Sequence, residues 1–110
     1  MTNLEKITEE TVIKTEKEIR DQLDCKYKDL CFEQLLESSY KTADLLNEKY
    51  NFQKIETYKI LAKRFNNLAK KAEDAAIYSG PTQNYLMYKA VGGIYEKAAS
   101  KLNEEINARR

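Results

Sequence analysis

The chain has 110 residues, of which 34% are charged and 42% hydrophobic, and its 19 basic and 18 acidic side chains give a net charge of +1. This length fits a single domain with one modest core, and the hydrophobic content argues against an intrinsically disordered chain. The balanced charge provides no global field that would attract nucleic acid or an anionic membrane.

Residues 1–26 are predicted to form an N-terminal acidic helical arm. Apolar residues recur from Leu4 to Leu23 on a loose helical period, and residues 1–24 hold four basic and seven acidic side chains. Thr2 or Asn3 could cap this helix. Because the apolar stripe is thin, the pattern favours an arm that is mobile or packs outside the main bundle.

Residues 27–110 are predicted to form an antiparallel bundle of three core helices. The first core helix runs from Tyr27 to Lys49 with a broad apolar stripe, and no Gly or Pro separates it from the arm, so the two helices could be continuous with a bend. Residues 47–51 form a short connection that makes an antiparallel hairpin, with Asn51 favoured as a turn or cap residue.

The central helix spans Asn51 to Ala76, where seven apolar residues follow one another at steps of three or four. Four of the seven are alanine, which buries little area and lets neighbouring helices come close. The seven positions are Ile55, Tyr58, Ala62, Phe65, Ala69, Ala72 and Ala76.

A helix boundary is predicted at Ser79–Thr82, because Gly80 permits a left-handed C-terminal cap and Pro81 suits the first turn of the next helix. The final helix runs from about Thr82 to Asn107. Two interpretations of its interior Gly92 and Gly93 stay open. They could allow close approach to the alanine stripe, or they could form a surface notch for a partner's side chain.

No catalytic motif is present, and with no histidine in the chain we predict neither an enzyme nor a metal or cofactor site. Cys25 and Cys31 are six residues apart, which fits neither a redox pair nor zinc ligands. Lacking an apolar run of roughly 18 residues or a signal peptide, the chain is expected to be cytoplasmic and to have no membrane span.

Four tyrosines cluster around the last connection and the final helix, where they could line the edge of the core or form a recognition surface. They are Tyr78, Tyr85, Tyr88 and Tyr95. The basic residues of the central helix, with no wider basic surplus, give little reason to expect nucleic-acid binding.

Two runs carry a resemblance to a known module. Lys89 and Ala90 precede the run Tyr95–Leu102, which reads Y-E-K-A-A-S-K-L, and Tyr50–Phe52 opens a helix with alanine and aromatic residues at helical steps. These runs resemble the third and second helices of MIT (microtubule interacting and transport) domains, where a Y-x-x-[RK]-A-x-K-L run occurs. The resemblance covers about residues 28–108 and implies a three-helix module.

The resemblance implies a non-enzymatic adaptor that receives an amphipathic helical peptide in an inter-helix groove, as MIT domains receive the C-terminal motifs of ESCRT filament proteins. Lys97 and Lys101 would be rim charges for an acidic partner. Alternatively, the N-terminal helix could itself occupy the groove with its acidic face toward the basic central helix. The implied groove residues are Phe65, Leu68, Ala72, Ala90, Tyr95, Ala99 and Leu102.

The leading functional prediction is therefore a helical protein-interaction module for amphipathic helical peptides. The alternative is a structural or assembly subunit that buries a spare apolar stripe in a homo-oligomeric helical bundle.

Overall fold

The computed structural model describes residues 6–23, 32–81 and 83–109, and it shows the predicted all-α helical bundle. Four helices form the described part: α1 (Glu9–Gln22), α2 (Phe32–Tyr50), α3 (Lys54–Ser79) and α4 (Gln83–Ala108). The three predicted core helices are present as α2, α3 and α4. The possible caps Thr2 and Asn3, the region where the arm joins the first core helix, and both cysteines lie outside the described residues.

α1 begins at Glu9 because Thr8 caps it. The Thr8 hydroxyl accepts a hydrogen bond from the backbone N–H of Thr11 at 3.3 Å, and two glutamates in the first turn complement the helix dipole. Leu23 adopts an extended conformation and ends the helix. α1 and α2 are therefore separate helices, which settles the open question of a continuous helix.

α2 buries three hydroxyl side chains beside its apolar residues. The Ser38 and Ser39 hydroxyls each donate to the Leu35 carbonyl at 2.9 Å, and the Thr42 hydroxyl donates to the Ser38 carbonyl at 2.7 Å. Because these bonds satisfy the hydroxyls within the helix, the small residues can enter the core without leaving polar atoms unpaired.

The connection from α2 to α3 is short, as predicted, but it covers residues 51–53 instead of 47–51, and Asn51 does not cap α3. Asn51 has a left-handed conformation with φ of 55°, and its N–H donates to the Asn47 carbonyl at 2.9 Å, so it ends α2. Gln53 precedes α3 and makes no side-chain capping bond. The Asn47 amide donates to the Phe52 carbonyl at 3.0 Å, which fixes the turn.

α3 and α4 form a long hairpin and make the most extensive helix contact in the described structure. Each helix has 26 residues, or about 39 Å at 1.5 Å per residue, in a molecule 51 Å long. Gly80 follows α3 with φ of 69°, so the predicted boundary is confirmed.

One hydrophobic core joins all four helices, and Val12 of α1 is fully buried in it together with Ile7, which precedes that helix. α1 thus belongs to the bundle, in contrast to the mobile or external arm that its thin stripe suggests. The division of the chain at residue 26 lies outside the described residues and stays a prediction. The largest fully buried apolar side chains of the core are Leu35, Leu46, Leu61, Phe65 and Leu102.

Candidate functional site

The far end of the α3–α4 hairpin lies outside the core that the four helices share. We call residues 69–93 the distal hairpin. Its buried residues, as far as the structure describes them, are all small: Ala69, Ala72, Ala76 and Gly92. None of these belongs to the shared core cluster. The distal hairpin is therefore held mainly by close backbone approach, since such residues bury little apolar area.

Large hydrophobic side chains are exposed at the end of the distal hairpin. Tyr78 is 90% exposed, Ile77 74%, Leu86 69% and Met87 44%. The other exposed large hydrophobic residue in the described part of the chain is Leu45 of α2, at 37%. Such clustering of exposed apolar side chains is typical of a surface that a partner covers.

α4 carries a second apolar face that points away from the core. We call Leu86, Met87, Ala90, Gly93 and Ile94 the outer stripe, because they recur at steps of three and four residues along one side of the helix. The first four residues are exposed, and Ile94 is half-buried where the stripe meets the core. α4 therefore has one apolar face in the bundle and another open to solvent.

The two interior glycines of α4 have different surroundings. A Cβ atom on Gly92 would lie 3.4 Å from both the Ala69 carbonyl oxygen and the Ala72 Cβ atom, whereas one on Gly93 would have no atom within 4 Å. Gly92 thus allows the close helix approach that was one of the two predicted interpretations. Gly93 leaves an open notch in the outer stripe, and the use of that notch by a partner's side chain stays a prediction.

The residues of the predicted groove do not share one accessible surface. Phe65 and Tyr95 lie together, with ring centroids 5.8 Å apart, but Phe65, Ala99 and Leu102 are fully buried in the core. Ala72 is also buried, while Leu68 and Tyr95 are half-buried. Ala90, Lys97 and Lys101 are the exposed members.

Both predicted rim charges already have partners within the chain. The Lys97 ammonium lies 4.6 Å from the centroid of the Phe32 ring, and Lys101 forms an ion pair with Glu104 at 3.1 Å. The hydrogen bond with Glu104 raises the pKa of Lys101. Neither lysine needs an external carboxylate to be satisfied.

Three of the four clustered tyrosines, Tyr85, Tyr88 and Tyr95, are half-buried. Tyr95 packs against the core, so the core-edge interpretation holds for that residue. Burial raises the pKa of Tyr95, although the nearby Arg20 and Arg64 act in the opposite direction. Tyr78 alone among the four is exposed, which leaves it for a recognition surface.

A buried carboxylate connects α1 to α2 and α3. Glu16 is fully buried, and its carboxylate lies 3.0 Å from the Arg64 guanidinium and 3.7 Å from that of Arg20. The Ser38 hydroxyl donates to it at 3.1 Å. Glu16 of α1 thus pairs with a basic residue of α3. α1 packs mainly on α2 and α3, whereas the alternative use of the groove places it between α3 and α4.

The described residues offer little for catalysis or ligation. They contain no group of three His, Cys, Asp or Glu side chains placed to hold a metal ion, and none of their helices has the length and apolar character needed to cross a bilayer. A cavity of about 440 Å³ lies between α1 and α2, lined by Leu23 and Leu45 together with Lys41, Asp44 and Glu48. Its mixed apolar and charged lining has no convergent set of polar groups that would specify a ligand.

The chain matches no known family model, curated protein or solved structure. The resemblance to MIT domains therefore stays a prediction, and the surface of this chain is the main indication of its function.

The sequence also marks the outer stripe, although a search for residues on the core-facing helical period does not find it. Between residues 75 and 95 the only charged side chain is Lys89, although 34% of the whole chain is charged. A solvated helix face normally carries charged residues. The scarcity of charge, together with the second apolar period at Leu86, Ala90 and Gly93, distinguishes this face from an ordinary solvated helix face.

Proposed function

We propose that this chain is a non-enzymatic helical protein-interaction module that binds an amphipathic helix along the outer stripe of α4. The observation that carries the proposal is the exposure of Ile77, Tyr78, Leu86 and Met87 at one end of the molecule. A helix lying along the stripe removes Leu86 and Met87 from water, and the MIT resemblance supports the same class of function.

The proposed surface differs from the predicted groove and shares Ala90 with it. A peptide in that groove reaches the buried Phe65, Ala99 and Leu102 only after the helices separate, which costs a large part of a total folding free energy of about 5–15 kcal/mol. The outer stripe requires no such opening. It is the surface that the folded bundle already presents.

The apolar side chains of the stripe provide the affinity, and the one charge beside them contributes little. Lys89 is exposed on α4 within the length of the stripe. An acidic residue flanking the partner's apolar face can pair with Lys89, and such an exposed pair adds little affinity.

A peptide-binding experiment tests the proposal. Helical peptides are selected from a displayed amphipathic library against the chain, and their dissociation constants are measured for the wild type, Leu86→Gln and Leu45→Gln by fluorescence anisotropy. We expect Leu86→Gln to weaken binding at least tenfold, because burying a leucine side chain contributes roughly 1.5–3 kcal/mol. Leu45→Gln is the matched control and should change affinity less than twofold, since Leu45 is exposed on α2.

The same measurement can contradict the proposal. Peptides that bind equally well to the wild type and to Leu86→Gln occupy another surface. Failure to select any amphipathic helix argues against an interaction module of this kind.

A further inference from the structure

We propose that the partner of the outer stripe is a second copy of this chain. This inference rests on the proposed function, because it names the occupant of the same surface. Two α4 helices pack antiparallel across a two-fold axis that passes beside Ala90. A symmetric dimer uses the same patch on both copies, so the patch must be complementary to itself.

The order of large and small residues along the stripe meets that requirement. An antiparallel arrangement about Ala90 pairs each residue with the one equally far from Ala90 on the other side. Met87 then faces the Gly93 notch of the second copy, Leu86 faces Ile94, and the two Ala90 residues meet at the axis. Met87 thus enters the space left open at Gly93, Leu86 makes an apolar contact with Ile94, and the small central Ala90 lets the helices approach closely.

The exposed area is sufficient for a dimer at the weaker end of specific complexes. Leu86 and Met87 of the stripe, together with Ile77 and Tyr78 at the end of α3, have exposed fractions that amount to about 500 Å² per copy at roughly 150–250 Å² for a large side chain. The proposed dimer therefore covers all four side chains. Two copies together approach the roughly 1,000 Å² that marks the lower limit of specific interfaces. We therefore expect a dissociation constant in the micromolar range.

The charge pattern favours a second copy over an unrelated protein. Surfaces that choose a different partner normally carry charges that set register and reject competitors, whereas Lys89 is the one charged residue between positions 75 and 95. In the antiparallel arrangement Lys89 stands at the edge of the stripe. No like charges oppose each other within it.

Sedimentation equilibrium over a hundredfold concentration range tests the dimer with the full chain and three variants. We expect the wild type to approach twice its mass of 12.8 kDa, and Leu86→Glu and Gly93→Leu each to raise the dissociation constant at least tenfold. Gly93→Leu is the sharper probe, because its side chain has open space in the single copy but fills the notch that Met87 needs. Leu45→Glu, an exposed site on α2, should still dimerise.

Far-UV circular dichroism melting establishes that each variant is folded before its mass is interpreted. A wild type of 12.8 kDa at every concentration, or a dimer that persists in both Leu86→Glu and Gly93→Leu, overturns the inference. If the wild type is monomeric but selected peptides still depend on Leu86, the second copy is excluded and the proposed function stands. If neither dimer nor Leu86-dependent peptide binding is found, both fail.

Discussion

Glu16 is the residue that fixes the position of α1 in the bundle. It is fully buried and holds the guanidinium groups of Arg64 and Arg20 at 3.0 and 3.7 Å, with the Ser38 hydroxyl at 3.1 Å. Burying a carboxylate is costly unless charges and hydrogen bonds surround it. The cluster therefore favours one register of α1 on α2 and α3, whereas apolar contacts alone would tolerate several.

Replacement of Glu16 should destabilise the fold. We expect Glu16→Ala to lower the free energy of unfolding by about 3–5 kcal/mol, because it leaves the largely buried Arg64 and Arg20 without a counter-charge. Glu16→Gln should cost less, since its amide oxygen can still accept the hydrogen bond from Ser38. Urea unfolding followed by circular dichroism measures both changes.

The matched control for that measurement is Glu18→Ala, an exposed carboxylate on the same helix, for which a change within about 0.5 kcal/mol is expected. Equal stabilities of Glu16→Ala and Glu18→Ala would show that the buried cluster does not hold α1 in place.

At the scale of helices, the distal part of the contact between α3 and α4 depends on residues with little or no side chain. Ala69 and Ala72 face Gly92 at 3.4 Å from the position its Cβ atom would take. A glycine inside a helix costs roughly 0.5–1 kcal/mol relative to alanine. At Gly92 that cost is offset by close packing, whereas at Gly93 no contact within the chain offsets it.

Two substitutions separate these roles. Gly92→Leu should destabilise the fold by about 1–3 kcal/mol through overpacking against α3, whereas Gly93→Ala should stabilise it by about 0.5–1 kcal/mol, because its Cβ atom enters open space. Both are compared in thermal or urea unfolding on the Leu86→Glu background, so that self-association does not affect the result. A destabilising Gly93→Ala would show that position 93 is packed within the single chain.

The helices themselves could be predicted from sequence because their causes are local. The alanine stripe from Ala62 to Ala76 and the Gly80 and Pro81 boundary act through helical period and backbone conformation. The role of Asn51 could not be predicted, because asparagine is favoured both before a helix and in the left-handed turn after one. The pairing of Glu16 with Arg64 also could not be predicted, because the two residues are 48 positions apart in the sequence.

The proposed interaction surface is harder to recognise in the sequence than the fold. Leu86, Met87 and Gly93 do not lie on the apolar stripe that faces the core. A search for residues that face a groove instead selects Phe65 and Leu102, which are buried in the core. Only the scarcity of charged residues between positions 75 and 95 marks the outer face of α4. Periodicity shows that a residue is on an apolar face, but packing decides whether that face is covered.

At the scale of the whole molecule, the chain has two unlike ends. At one end α1 and α2 cover α3 and α4 around a shared core that includes Phe65 and Leu102. At the other end the distal hairpin buries small residues and exposes Ile77, Tyr78 and Leu86. The first end accounts for the stability of the fold. The second presents the surface on which an interacting helix, and in our inference a second copy, is placed.

Site-specific photo-cross-linking of the purified chain tests this division most directly. A photoreactive benzoylphenylalanine replaces Leu86 in one sample and Leu45 in another, and the products are mapped by mass spectrometry. We expect an adduct of twice the chain mass from position 86, joined near Ile94 of the second copy, and none from position 45. Equal adducts from both positions, or an adduct from position 45 alone, would contradict the assignment of the outer stripe as the contact surface.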